Sequence, residues 1–509
     1  MDMRRGMGVR RWNARGLRLP AALLGMVLFA LFCLPGAAFA ARGDIAVGIR
    51  LEPPHLDPTA GAAAAIGEVT YANLFEGLTR IDARGEVTPG LAESWEISAD
   101  GRTYTFRLRE NVRFHDGSAF NAEDVRFTFD RALAPDSVNP QKSLLEPLEA
   151  VEVADERTVR MTLKRPTSQF AFTLGLPAMV IVASETADTN RTNPNGTGPF
   201  RLSRWVKGDR IDLVRNEHYW GEKPALTRAT FRVIDDASAA YAALLAGNID
   251  AYTNFPAPEN VPQFEADPRF TVVIGNTEGK TVLAINNAKK PLDDIRVRRA
   301  IAHAIDRKAL IDGALDGRAQ PIGSHYAPQN RGYVDLTGRY PHDPARAREL
   351  LTEAGVSGLR LRLVLPPPSY ARRGGEIVAA QLRAVGIETE IVPVEWARWL
   401  SEVFRDKRYD LSIVAHVEPN DLDIYAREDY YFNYDSPDYR ALYAALVAAT
   451  DEALRLDILK KIQERLAEDS VNGFLFLLPK IGIRDAKLTG LWENAPIPAI
   501  DLTGVSWRE

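Results

Sequence analysis

Residues 89–131 read PGLAESWEISADGRTYTFRLRENVRFHDGSAFNAEDVRFTFDR. Within them Tyr104-Thr105-Phe106-Arg107-Leu108 alternates apolar and polar side chains at period two, so one face of a strand meets a core and the other meets water. Ala99-Asp100-Gly101 and His115-Asp116-Gly117 place turn residues at strand ends, where Asp can bond its own backbone and Gly can take a positive φ. His115 is therefore read as a turn residue and not as a ligand. The stretch as a whole reads as strands, turns and a helix of a scaffold.

Outward from it the period changes. On the same side of the chain, Val159–Leu163 and Ile211–Leu213 alternate like Tyr104–Leu108 and predict further half-buried antiparallel strands. From Asp293 the apolar positions Val297, Ile301 and Ile305 recur every four residues, which predicts an amphipathic helix starting near Asp293 or Asp294. Asp343-Pro344 supplies an N-cap and a first-turn proline for a helix with Leu350, Leu351 and Ala354 on its apolar stripe, stopped by Gly355. Another helix is expected from Gly375 to Val385, followed by a strand over 387–394. A long helical stretch from Tyr439 to Glu468 should precede an apolar strand, Phe474–Leu478, that Pro479 ends. Strands first, then helices alternating with strands, predict an α/β protein with two lobes.

The first forty residues carry six arginines, an apolar run from Ala21 to Leu34, Pro35-Gly36 and then Ala38-Phe39-Ala40. These are the parts of a cleaved secretory signal peptide, residues 1–40, and the run is too short to anchor the chain across a bilayer. Arg10-Arg11 invites comparison with a twin-arginine signal, but Asn13 stands where that signal prefers an apolar residue, so the general secretory route is expected. The single cysteine, Cys33, lies inside the leader after Phe32, which disfavours lipoprotein processing. The mature chain would then contain no thiol, excluding disulfides, thiolate catalysis and sulfur-ligated metals. The whole chain has 63 Lys+Arg against 68 Asp+Glu. Six of the bases and one of the acids fall in the leader, so the mature protein stands near −10. That balance speaks for solubility and against nucleic acid or anionic lipid as partners.

The 89–131 stretch resembles the signature region of the family 5 solute-binding proteins of bacterial ABC importers. Further blocks are similar to that family in its own order: Pro53–Pro58, Leu74–Leu78, Gly196–Phe200, Arg215–Trp220 and Asn286–Leu310. The resemblance implies a two-lobe periplasmic-binding-protein clamshell with an extra subdomain in lobe I. Lobe I would comprise residues 41–279 plus 480–509, with the subdomain at about 80–190, and lobe II residues 280–479. The chain would cross a hinge near 275–283 and again near 479–485, letting the lobes close as rigid bodies around a ligand. It also implies a monomeric periplasmic receptor that captures a peptide or peptide-like organic solute and delivers it to permease and ATPase subunits in the inner membrane.

Peptide-binding members carry, after a Tyr-Asp strand, a Gly-Trp and then an Asp that pairs with the peptide's amino terminus. Here the segment is Tyr409 to Asp421, with His416 in the Trp position and Pro419 in the Asp position. An unpaired buried charge is costly, so Glu418, Asn420 or Asp421 is a candidate replacement if the loop shifts; solvated loop residues are the alternative. Tyr425, Tyr430 and Tyr431 are read as aromatic walls. Arg372 or Arg373 stands where some relatives hold a peptide carboxylate. Tyr252, Thr253 and Asn254, and Glu52 with His55, fall in segments that approach the cleft in the family. Trp396 and Trp399 are candidates to cap the pocket or to pack in the core.

Other chemistries find less support. Gly275–Thr281 has three residues between its glycines where a phosphate loop needs four, and neither Gly-x-Ser-x-Gly nor His-Glu-x-x-His occurs. No enzyme activity, cofactor or metal ligand is assigned. A metal-chelate binder is the alternative cargo reading, since some relatives carry nickel. The seven histidines are scattered with no closely spaced pair, and His416 is the best single candidate.

Overall fold

The computed structural model describes residues 42–508; the leader, its cleavage after Ala40, the export route and Cys33 lie outside them. The strand predicted at Tyr104–Leu108 is Thr103–Leu108, whose inward residues Tyr104, Phe106 and Leu108 are buried. It is the second strand of a four-stranded antiparallel sheet in the order Ala92–Ile97, Thr103–Leu108, Thr158–Leu163, Leu148–Asp155. The helix Ala122–Leu133 packs on this sheet. Its start is fixed by a capping box: Asn121 Oδ1 accepts from Glu123 N at 2.8 Å, and Asp124 returns a bond to Asn121 N at 2.9 Å. His115 is held between backbone groups, with Nε2 3.0 Å from the Gly198 carbonyl, in keeping with a structural turn residue.

The second half forms the expected helices. Ile295–Ala304 is N-capped by Asp294, and Pro344–Glu353 by Asp343. The helix expected from Gly375 begins six residues earlier, at Ser369, because Pro368 and the small residues Ala371, Gly374 and Gly375 let its first turns pack closely on the sheet. The long helical stretch is two helices, Pro437–Ala448 and Glu452–Glu468, separated where Asp451 caps the second.

One large mixed sheet runs through the molecule. Its order is Ile387–Pro393, Leu359–Leu365, Leu411–His416, Phe270–Ile285, Gly473–Asp485, Ala251–Tyr252, Asp44–Ile49, Arg228–Val233, Arg210–Arg215, Phe200–Val206. Two long strands, Phe270–Ile285 and Gly473–Asp485, stand in the middle and pair antiparallel with each other. At one end they meet Leu411–His416, and at the other Ala251–Tyr252. The buried clusters divide in the same way. One group is built on residues 45–231, 488–505 and the Ala240–Phe264 helices, and another fills both faces of the sheet between residues 282 and 477.

Pro479 does not end its strand, contrary to the sequence expectation. The ladder slips between Asn276 paired with Pro479 and Lys280 paired with Leu477, so the opposing strand carries a bulge of Thr277, Glu278 and Gly279. A proline lacks an N–H donor and is tolerated at such an irregularity. The bulge also turns Glu278 and Lys280 inward, where both are buried. A third segment braces it: Asn276 N donates to Asn494 Oδ1 at 2.9 Å, and Ala495 N to the Asn276 carbonyl at 2.8 Å.

Candidate ligand-binding site

The site begins where the strand Leu411–His416 leaves the sheet. Residues 411–414 and His416 are buried, and His416 is the residue opposite Lys280. The chain then turns through Val417-Glu418-Pro419-Asn420, with Asn420 at φ 54°. Asn visits this left-handed region more readily than most residues with a Cβ. A short turn of helix, Leu422–Tyr425, follows.

Two cavities meet at this loop. The larger, about 610 Å³, has an aromatic wall of Trp396, Trp399, Phe404, Tyr430, Tyr431 and Tyr443. Its polar groups are His416, Glu418, Asp421, Asp423 and Arg427, and Leu144 and Gln169 of the first half of the chain close it. The smaller, about 300 Å³, lies between Gly85–Val87 and Ser168–Phe172 on one side and Glu278, Tyr326, Asn330, Arg331, Glu452 and Arg455 on the other. Gln169, Pro419 and Asn420 line both. Over them, Ser168 ties the first half of the chain to the end of the helix Pro437–Ala448. Its N–H donates to the Val447 carbonyl and its hydroxyl to the Leu446 carbonyl, each at 3.0 Å.

Beneath the loop lies a buried polar network. Lys280, 1% exposed, donates to the Glu418 carbonyl at 2.7 Å and pairs with Asp421 Oδ1 at 2.9 Å, with Glu278 Oε2 at 3.6 Å. Asp421 Oδ1 also meets His325 Nε2 at 3.0 Å, while Asp421 Oδ2 is buried without a hydrogen-bond partner. The Tyr425 hydroxyl lies 3.0 Å from His325 Nδ1 and accepts from Asn472 at 3.1 Å. Since the carboxylate must accept, Nε2 of His325 donates and Nδ1 accepts from Tyr425. His416 Nε2 is 3.0 Å from the Tyr431 hydroxyl.

Burial keeps both imidazoles neutral: it lowers the pKa of His325, and it pushes that of His416 down to about 3 with help from the neighbouring ring. Burial raises the Asp421 carboxyl, but His325 and Lys280 outweigh it and leave it below the ordinary carboxylate range. Glu278 is raised, since burial there exceeds the opposing pull of Lys280 and its bonds from Asn330 and Gln329.

The structure gathers part of the expected set. His416, Glu418, Asn420, Asp421 and Trp396 line the larger cavity, as do Trp399, Tyr430 and Tyr431. Tyr425 does not; it is fully buried behind His325, stacked on Phe432. Arg372 and Arg373 lie away from both cavities. Arg372 donates to the Pro366 and Val394 carbonyls and Arg373 to that of Gly313, so both serve as fasteners for neighbouring chain. Tyr252 is buried, with its hydroxyl bonded to the Ile234 carbonyl, and Asn254 is exposed. Glu52 accepts from Trp205 Nε1 and Gly208 N, and His55 accepts from Asp57 N at 3.3 Å. None of these four borders either cavity.

Sequence reasoning missed Lys280, Glu278 and His325. A lysine set directly before Thr281-Val282-Leu283-Ala284-Ile285 was the available signal, because a central strand rarely buries a lone ammonium. His325 carried no local signal. Folding brings two of the scattered histidines together, since the His325 and His416 rings lie 5.3 Å apart across about ninety residues of sequence.

Residues 86–437 match the family described as bacterial extracellular solute-binding proteins, family 5 middle. The dipeptide-binding protein of Escherichia coli K12 is 33% identical over 349 residues, which is 62% of this chain and 65% of that protein. Di/tripeptide-binding protein 2 of Pseudomonas aeruginosa UCBPP-PA14 is 30% identical over 437 residues, covering 79% of this chain and 82% of its own. Among solved structures, HbpA2 from Haemophilus parasuis superposes with a TM-score of 0.85 at 25% identity, over 92% of this chain and all of that one. The fold is thus the two-lobe α/β architecture of periplasmic binding proteins. The chain belongs to the family 5 bacterial extracellular solute-binding proteins. Among the described residues, no helix is long and apolar enough to cross a membrane.

Proposed function

We propose that this chain is the substrate-capturing receptor of an ABC importer. It takes a peptide or peptide-like organic solute into the joined cavities and presents it to permease and ATPase subunits of the inner membrane, without chemical turnover. The observation that carries this reading is the pair of cavities meeting at Pro419-Asn420. One is aromatic and the other polar, and together they fall in the size range of small-molecule sites. The names of the relatives, dipeptide-binding and di/tripeptide-binding, support peptide as the cargo class.

In this reading lobe I is residues 41–279 with 480–509, its subdomain about 80–190, and lobe II is 280–479. The strands Phe270–Ile285 and Gly473–Asp485 carry the two crossings, and Ser168 fastens the lobes when closed. The protein works as a periplasmic monomer exported by its leader. Asp421 Oδ1 is engaged by Lys280 and His325, its Oδ2 faces His416, and Asp423 pairs with Arg427, so Glu418 is the cavity carboxylate that meets a ligand's ammonium, with the aromatic wall receiving an apolar side chain.

Native mass spectrometry of protein purified gently from periplasm names the retained molecule. A di- or tripeptide is the expected mass, and a library of such peptides should raise the melting temperature, because a ligand of the folded state alone stabilises it. Retention of a non-peptide solute with no response to any peptide would sink the reading.

A further inference from the structure

We infer that His325, His416 and Asp421 form a binding site for a first-row divalent cation such as zinc, held by three side chains of this chain without an organic chelator. Among the described residues these form a convergent set in which one donor atom from each lies within 4.8 Å of the others, and all three residues are buried. The site borders the larger cavity but does not rest on what that cavity carries.

Three features separate it from a chance meeting of polar groups. Asp421 Oδ2 is buried with no hydrogen-bond partner, although an unmatched buried carboxylate oxygen forfeits its solvation. It lies 3.9 Å from His416 Nδ1. Each ring is oriented from behind by a tyrosine hydroxyl, His416 by Tyr431 and His325 by Tyr425, and Tyr425 is itself held by Asn472. Such outer bonds fix ring orientation in metal sites. Finally, His416 and Asp421 line the cavity, which supplies an entry path and room for a fourth donor.

Lys280 does not occupy the same edge of the carboxylate. It pairs with Oδ1 at 2.9 Å, with Glu278 Oε2 3.6 Å from the same ammonium, and leaves Oδ2 for the ion. Bonds of roughly 2.0–2.2 Å in a tetrahedral set place donors a little over 3 Å apart, so the three groups need to close by about an ångström. On binding, the Nε2 proton of His325 moves to Nδ1, the Tyr425 hydroxyl hydrogen that pointed at Nδ1 rotates away so that its oxygen accepts the new Nδ1–H, and Nε2 of His416 donates to Tyr431. No net proton, electron or covalent change beyond the coordinate bonds is required.

The test uses untagged protein stripped with chelator and titrated with zinc chloride, and in parallel with cobalt chloride. One zinc retained per chain after gel filtration is expected, together with visible absorption bands of four-coordinate cobalt. His416→Gln and Asp421→Asn should each weaken zinc retention by at least about tenfold. Absence of bound zinc in the wild-type chain overturns the inference. So does stoichiometric zinc unaffected by both substitutions, which would place the ion elsewhere. Circular dichroism checks the variants, and if Asp421→Asn fails to fold, His416→Gln decides. Peptide-induced stabilisation of the stripped protein reads the receptor proposal separately, so failure of one leaves the other standing.

Discussion

Replacing Lys280 by Met keeps most of the side-chain volume and removes one charge from the floor of the site. In the native chain that ammonium meets the Glu418 carbonyl at 2.7 Å and Asp421 at 2.9 Å, and the residue is 1% exposed. Removing one partner of a buried pair typically costs about 3–5 kcal/mol, because the charge left behind has lost both water and its counter-ion. A loss of about 4 kcal/mol, spread over a cooperative unit of about 200 residues with an unfolding entropy near 0.4 kcal/mol/K, lowers the melting temperature by about 10 °C. Without the ammonium, burial raises the Asp421 carboxyl. The deficit is then greatest at neutral pH and shrinks as falling pH protonates the stranded acid. Calorimetry at pH 7 and pH 5 measures both effects. The double variant Lys280→Met with Asp421→Asn should recover at least about 2 kcal/mol, since it removes the orphaned charge. A loss below about 1 kcal/mol in the single variant, or strict additivity in the double one, would refute the network as described.

Acid should destabilise the protein through two neutral buried histidines, with His115 pushed down by burial to about 4 and His416 to about 3. Both take up protons more readily when unfolded, so the stability they provide is present above about pH 6.5 and falls as pH drops from there toward their folded values; urea midpoints at pH 7, 6 and 5 check it. Gly275→Ala sets a Cβ against the backbone carbonyl of Glu493, which cannot yield without moving the brace on the central strands. It should cost about 2–3 kcal/mol by denaturant titration, and a neutral result would mean that the brace is loose. Trp396→Ala removes a cavity-wall ring that is 42% exposed, so stability should change by less than about 1 kcal/mol while affinity for the ligand retained in the native protein falls at least about tenfold by calorimetry.

The fold was largely legible because its signals are local. Period two at Tyr104–Leu108, period four at Val297–Ile305 and the caps Asp294 and Asp343 each act within a few residues, and each element formed where they stood. Pro479 shows the limit of local reading. Alone it stops a strand, but the missing N–H falls opposite a bulge set by residues two hundred positions earlier. The site was legible only as far as its loop. His416, Glu418, Asn420 and Asp421 sit together in sequence and in space. His325 and Lys280 reach that loop from a connecting segment and a central strand, and no spacing rule links them to it.

This distance also explains how the loop can hold a buried acid at position 421. A buried carboxylate needs a counter-charge or it shifts its pKa and neutralises. Here Asp421 finds that counter-charge in Lys280, rooted in the longest strand of the sheet, and the same ammonium grips the Glu418 backbone. The loop is therefore positioned from beneath by a rigid element and not by its own sequence. Pro419 and Asn420 are left to line both cavities, and the exposed Glu418 side chain lines the larger one.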